Sequence, residues 1–237
     1  MKSLFGWLAG GRGKLQLDAL ELRRRDALPL PQALDQRPLG EQRLVVLDLE
    51  TSGLNMRNDD VLAIGALVIE QGGIALDSQY EATLRQDHKV SESILIHGLS
   101  PSTVAAGLEP AAALLDFMAF LDGSPVLGYH APFDRHMLAR ALKEVLGYNL
   151  RNHFIDLAEV APMLLPDACG YKAGLDDWVA HFGLQVLQRH SASADALVTA
   201  ELALILFSQA RLQGIHSLAA LEQRLQCWRR RQQAHSL

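Results

Sequence analysis

Only two cysteines, Cys169 and Cys227, occur in 237 residues, and they lie too far apart for a disulfide framework or a zinc site. A reducing compartment is the expectation. A membrane or secretion signal is also missing at the start: the opening MKSLFGWLAGGRGK holds an apolar patch too short to span a bilayer, and no small-residue cleavage pattern follows it. Neither secretion nor a membrane partner is indicated, and the chain reads as cytoplasmic. There is no surplus of basic charge. A formal net charge of -5 argues against coating nucleic acid by bulk electrostatics, although it says little about a local site whose acids are neutralised by bound metal. Internal repeats and low-complexity tracts are absent as well.

What remains is a chain with 49% apolar and 21% charged residues, enough for one substantial core with extensions. Residues 1–43 differ from the rest: Gly10, Gly11 and Gly13 precede an arginine run, Arg23 to Arg25, and then Pro29, Pro31 and Pro38. A short helix is expected within 14–26, and the proline-rich remainder reads as a linker. A compact domain follows over 44–212, and a helical tail over 213–237. Within the domain, strands are expected at 44–50, 61–70 and 73–84, the last two joined by a Gly72-Gly73 turn. Helical periodicity begins near Glu109 and stops at Gly123. Short strands at 126–129 and 154–157 then alternate with helices beginning near Pro132 and running up to Pro166, followed by helices at 175–182 and 192–210. A hairpin followed by alternating strands and helices indicates an α/β fold, a mixed sheet with helices packed against it.

The stretch VVLDLETSGL, residues 45–54, places Asp48 and Glu50 two apart in an apolar strand, so both carboxylates emerge on one face. Like charges that close repel, and a divalent metal is the usual cation between paired hard oxygens. For a single D-x-E, an ordinary half-exposed strand with an acidic face is the better explanation. The small turn after it, Thr51-Ser52-Gly53, leaves room for a ligand to approach backbone N–H groups. A pair of ions about 3.5 to 4 Å apart would need further carboxylates from elsewhere. Asp134 in GYHAPFDRHML and Asp195 in RHSASADALVTAEL are candidates, each in the first turn of a helix. Compensation of the helix dipole explains either acid alone, with Ser191 and Ser193 as possible N-caps for the second helix. His190, five residues before Asp195, could take a proton from water near neutral pH.

Taken together, LDLETSGL, GYHAPFDRHML and HSASADA resemble, in order and spacing, the three motifs of the DEDDh 3′-5′ exonucleases. That group includes the proofreading epsilon subunit of bacterial DNA polymerase III, ribonuclease T and oligoribonuclease. The similarity covers about residues 44–210 and extends to SESILIHGLS, which looks like the family's E-x4-H-G segment, and to GLDDWVAHFGL before the third motif. It implies a ribonuclease H-like fold with a central mixed five-stranded sheet flanked by helices. By the same resemblance, Asp48, Glu50, Asp134 and Asp195 are the metal ligands for two Mg²⁺, with Mn²⁺ as a substitute, and His190 is the general base. Thr51, Gly53 and Leu54, with Glu92 and His97 opposite, would line the pocket for a single-stranded or frayed 3′ end. The implied reaction is hydrolysis of DNA or RNA from the 3′ end to nucleoside 5′-monophosphates. A domain retained for polymerase interaction is the alternative.

The second motif departs from the family pattern, with Tyr129 and His130 where His and Asn are usual. At the ends of the chain, Gln16-Leu17-Asp18-Ala19-Leu20 loosely resembles a sliding-clamp-binding peptide, but an amphipathic helix accounts for the same letters. Trp228-Arg229-Arg230-Arg231 reads as a solvated helix end or as a phosphate contact. Any polymerase or clamp partner would be reached through these extensions.

Overall fold

A computed structural model of the chain describes residues 17–86, 100–170, 172–186 and 191–235. Among them, strands β1 (Leu44–Thr51), β2 (Val61–Glu70), β3 (Gly73–Thr83), β4 (Val126–Gly128) and β5 (Phe154–Asp156) form one sheet in the order β3-β2-β1-β4-β5. β1 is antiparallel to β2 and parallel to β4, and β4 is parallel to β5. The C-terminal ends of β1, β4 and β5 therefore lie at the same edge of the sheet. The mixed sheet agrees with the expected fold. The hairpin turn is displaced by one residue, to Gln71-Gly72, with φ of 52° and 79°. Positive φ at both central positions is the type I′ arrangement, whose twist matches that of the flanking strands, and Gly73 instead begins β3 opposite Glu70.

Alternation along β1 sends Leu44 and Val46 into one core and Val45, Leu47 and Leu49 into another on the opposite face. The second core is covered by α3 (Pro110–Leu121) and α4 (Ala131–Leu146). The first is covered by α5 (Leu157–Leu164), α6 (Leu175–Phe182), α7 (Ala192–Leu212) and α8 (Leu218–His235). A short α2 (Pro101–Ala105) precedes α3. Helix α7 is long and apolar enough to cross a bilayer by length and composition, yet 56% of its apolar window is buried within the protein. It lies against β1 and β2 on one side and α5 and α6 on the other, which accounts for an apolar surface nearly all round.

The described parts of both extensions lie on the domain. Helix α1 (Ala19–Asp26) starts with a capping box between Asp18 and Glu21, and Arg24 pairs with Asp116 of α3 at 2.5 Å. Leu17 and Leu28 pack on the second core. Residues 17–20 thus belong to a helix start, as the amphipathic reading of that stretch has it, while Gln16 lies outside the described residues. Farther along, Leu39 N–H donates to the His216 carbonyl and Ala219 N–H to that of Asp35, so the two extensions meet just before α8. Trp228 packs on the first core, and Arg229 pairs with Glu159 and Glu222. The expectation of a solvated helix end therefore fails for these two residues and holds for the exposed Arg230 and Arg231.

Candidate active site

Asp48 and Glu50 continue the row begun by Leu44 and Val46, on the face that α7 covers. The first turn of α7 brings Asp195 to them, and one carboxylate oxygen from each of the three lies within 4.8 Å of the others. Glu50 and Asp195 are only 5% and 8% exposed, whereas Asp48 is half-buried. Three converging hard oxygens, partly withdrawn from water and partly open to it, fit a divalent cation. The helix can come this close because Gly65 stands opposite Asp48 on β2. A Cβ at Gly65 would lie 2.1 Å from the Ala192 carbonyl carbon and 2.3 Å from the Ser193 nitrogen, where no atom fits. The sequence reading passed over this glycine, although an isolated glycine within an apolar strand signals close backbone approach.

Asp134 lies outside this group of three. It is buried in the first turn of α4, and its carboxyl accepts from its own backbone N–H and from that of Leu49. Burial pushes it up to about 8, against the effect of those hydrogen bonds, and the charges of Asp156 and Glu50 push in the same direction. It is thus an electrostatic neighbour of Glu50, at the same edge of the sheet. Dipole compensation alone, the simplest reading from sequence, does not describe a carboxyl held mostly protonated at neutral pH.

Two further acids organise this edge and were not anticipated from sequence. Asp156, the last residue of β5, accepts from Ala158 N–H at 3.0 Å and from Ala131 N–H at 3.3 Å, tying together the starts of α5 and α4. Burial is the largest cause of its raised pKa. Its signal was an Asp at a strand-to-helix boundary, a common N-cap. Asp59 shapes the turn after Glu50, accepting from Ser52 Oγ at 2.9 Å and Asn55 N–H at 2.7 Å. A Cβ on Gly53 would meet the Asp59 carboxylate at 2.5 Å, so a larger residue there would push the Asp59 side chain from its place. Thr51 is buried and donates from its hydroxyl to the Gly53 carbonyl at 2.8 Å, while Leu54 is left 85% exposed at the turn.

In the departing second motif, Tyr129 reaches from the end of β4 to the Ala173 carbonyl, donating its hydroxyl at 2.5 Å. His130 precedes α4 in the left-handed conformation, with φ 60° and ψ 38°, edge-on to the Tyr129 ring at 4.9 Å. Ser191 occupies the N-cap of α7 without a side-chain cap bond, so capping does not explain that serine. His190, Glu92 and His97 lie outside the described residues.

Residues 45–203 match the family model described as an exonuclease, of the ribonuclease T type. Similar proteins include the PolC-type DNA polymerase III of Thermotoga maritima, 31% identical over 189 residues that make up 79% of this chain and 14% of that protein. An epsilon-like DNA polymerase III subunit protein of Rhodobacter capsulatus is 28% identical over 80% of this chain and 27% of its own length. The chain therefore spans well under a third of these relatives. A solved structure of E. coli exonuclease I in complex with a dT13 oligonucleotide shares the fold, with a TM-score of 0.61 at 17% identity, over 73% of this chain and 42% of that one.

Proposed function

Because the chain belongs to the exonuclease family, whose model it matches over residues 45–203, we propose that it is a metal-dependent 3′-5′ exonuclease releasing nucleoside 5′-monophosphates from DNA 3′ ends. The observation that carries this reading is the convergence of Asp48, Glu50 and Asp195 within 4.8 Å at the edge of the sheet where Asp134 also lies. In this reading the four carboxylates hold two divalent ions, Mg²⁺ with Mn²⁺ as a substitute. When bound, such ions neutralise the scissile phosphate, activate water and stabilise the leaving oxygen. Hard-oxygen ligands without nitrogen or sulfur favour magnesium.

The protein's own groups have separate tasks. His190, placed by the family resemblance five residues before Asp195, takes the proton of the attacking water. Asp134 binds a cation only after giving up its proton, so occupancy of the site rises with pH. The Asp59-braced turn presents Thr51 and Gly53 to the terminal sugar and exposed Leu54 to the terminal base, and the family resemblance assigns Glu92 and His97 to the same terminal nucleotide. Such a pocket favours unpaired ends, whose bases can be splayed and stacked. The DNA preference is supported by the polymerase relatives.

Matched DNA and RNA oligomers carrying a 3′ or a 5′ label test polarity and sugar together. We expect the 3′ label to leave first as a mononucleotide and the 5′ label to persist through a descending ladder, faster on DNA and arrested by chelator. Early release of the 5′ label, or digestion indifferent to chelator, would overturn the assignment, and faster digestion of RNA would reassign the substrate.

A further inference from the structure

The last fifteen residues of the chain hold Arg224, Arg229, Arg230 and Arg231 and no aspartate or glutamate, in a protein of formal charge -5. The fold decides where these arginines go. Helix α5 begins at the same sheet edge as the carboxylates, since its N-cap Asp156 ends β5, and β5 runs parallel to β1 through β4. Glu159, in the first turn of α5, accepts from Arg229 Nε at 2.8 Å, and the Asp156 charge acts on the same guanidinium. That contact fixes the level of α8 against the sheet. The helix continues to His235, six residues and about 9 Å beyond Arg229. Because α8 starts beside Leu39 and Asp35, at the opposite end of the sheet where β1 begins, it runs toward this edge, on the side of β5, a strand that lies two strand spacings or about 10 Å from β1.

Arg230 and Arg231 follow directly on Arg229, about 1.5 and 3 Å further along the helix and so at nearly the level of Glu159, and both are exposed, while Trp228 and Arg229 hold the helix down on the first core. Basic residues toward a helix C-terminus also favour the helix dipole, an effect of about 0.3 to 1 kcal/mol in the last turn that would be met equally at any end of the fold. The placement adds something that compensation does not need. A strand whose 3′ terminus occupied the carboxylate site would have its remaining phosphates outside the site, and among the surfaces at this edge the exposed arginines of α8 offer them positive charge in a protein that is negative overall.

We propose that the end of α8 is a nucleic-acid contact, in which Arg230 and Arg231 bind backbone phosphates of the single strand upstream of the scissile bond. The proposal rests on the nuclease reading for the direction of the strand. It is tested with R230Q/R231Q and the charge-reversed R230E/R231E, both of which leave the Arg229 anchor intact. For a twelve-nucleotide single-stranded DNA we expect KM to rise several-fold in the first variant and further in the second, with kcat unchanged. KM for the nitrophenyl ester of thymidine 5′-phosphate, which has no upstream phosphates, should stay the same. In chelator, the slope of log Kd against log salt concentration for the oligomer should fall by about 1.4, or about 0.7 for each phosphate no longer neutralised by an arginine. An unchanged KM and salt slope in both variants would overturn the proposal, as would an equal rise in KM for the ester. Should the unmodified protein hydrolyse neither substrate, the nuclease reading would fall, and the binding measurement in chelator would still decide the role of the arginines.

Discussion

The two faces of β1 differ in one respect. Toward α3 and α4 the strand presents Val45, Leu47 and Leu49, apolar to its end, whereas toward α7 the row starts with Leu44 and Val46 and finishes in Asp48 and Glu50. Seven of these eight neighbouring positions, 44 to 51, are buried, so burial does not separate the faces. What separates them is the partner met at the edge. The apolar face meets the side of α4, and the acidic face meets the start of α7, where Asp195 adds a third carboxylate. Stability is thus spread over both faces of this strand, while the chemistry is confined to the last two positions of one.

The sharpest break of that symmetry is Asp48→Ala against Leu47→Ala, adjacent residues on opposite faces. Loss of the Asp48 carboxylate should lower kcat by about a hundred- to ten-thousandfold, the equivalent of several kcal/mol of transition-state stabilisation, in steady-state assays on labelled DNA. Its urea midpoint should hold or rise in chelator, because a repulsion has been removed. Leu47→Ala should reverse the pattern, costing about 2 to 5 kcal/mol in urea unfolding with kcat per folded molecule nearly unchanged. Equal effects of the two on both measurements would contradict the division.

Gly65→Ala comes next. Its methyl group has no room against Ala192 and Ser193, so the start of α7 must move away from β2, carrying Asp195 from Asp48 and Glu50. Overpacking costs about 1 to 3 kcal/mol of stability. Mn²⁺ affinity, read by electron paramagnetic resonance without substrate, should weaken along with it. Affinity equal to that of the unmodified protein would show that Gly65 does not govern the approach of the helix.

The remaining contrast concerns pH. Burial raises the Asp134 carboxyl from 3.8 to about 8, so in chelator the folded protein keeps a proton that the unfolded chain has released. The stability this contributes is full below about pH 4 and is lost as pH rises through 8. Urea midpoints should therefore fall across that window and recover on addition of Mg²⁺. Asp134→Asn should flatten the decline without abolishing it, since Asp156 is shifted in the same direction. A midpoint rising with pH in the unmodified protein would refute the placement of Asp134.

Much of this was legible in the chain. Strand alternation exposes the Asp48 and Glu50 pair, because side-chain direction in a strand follows from backbone geometry two residues at a time. The mixed sheet followed from the order of a hairpin and then alternating strands and helices, and the helix starts carrying Asp134 and Asp195 were visible in Pro132 and the serines before Ala196. Less legible was anything set by a contact between distant segments. Asp156 reads as a simple cap until Ala131, twenty-five residues away, is found donating to the same carboxylate. Trp228 and Arg229 read as solvated until Glu159, seventy residues earlier, is found beside Arg229.

Local sequence, then, determined which residues are acidic, which strand and helix ends carry them, and that Asp48 and Glu50 share a face. The tertiary structure alone decided that α7 comes down on Gly65 to complete the group, that Asp134 is buried deeply enough to retain its proton, and that Arg229 of α8 meets Glu159 at the start of α5. The reason is one of range. Propensity and periodicity act over a few residues, whereas desolvation, close packing and charge proximity depend on which remote segments share a space.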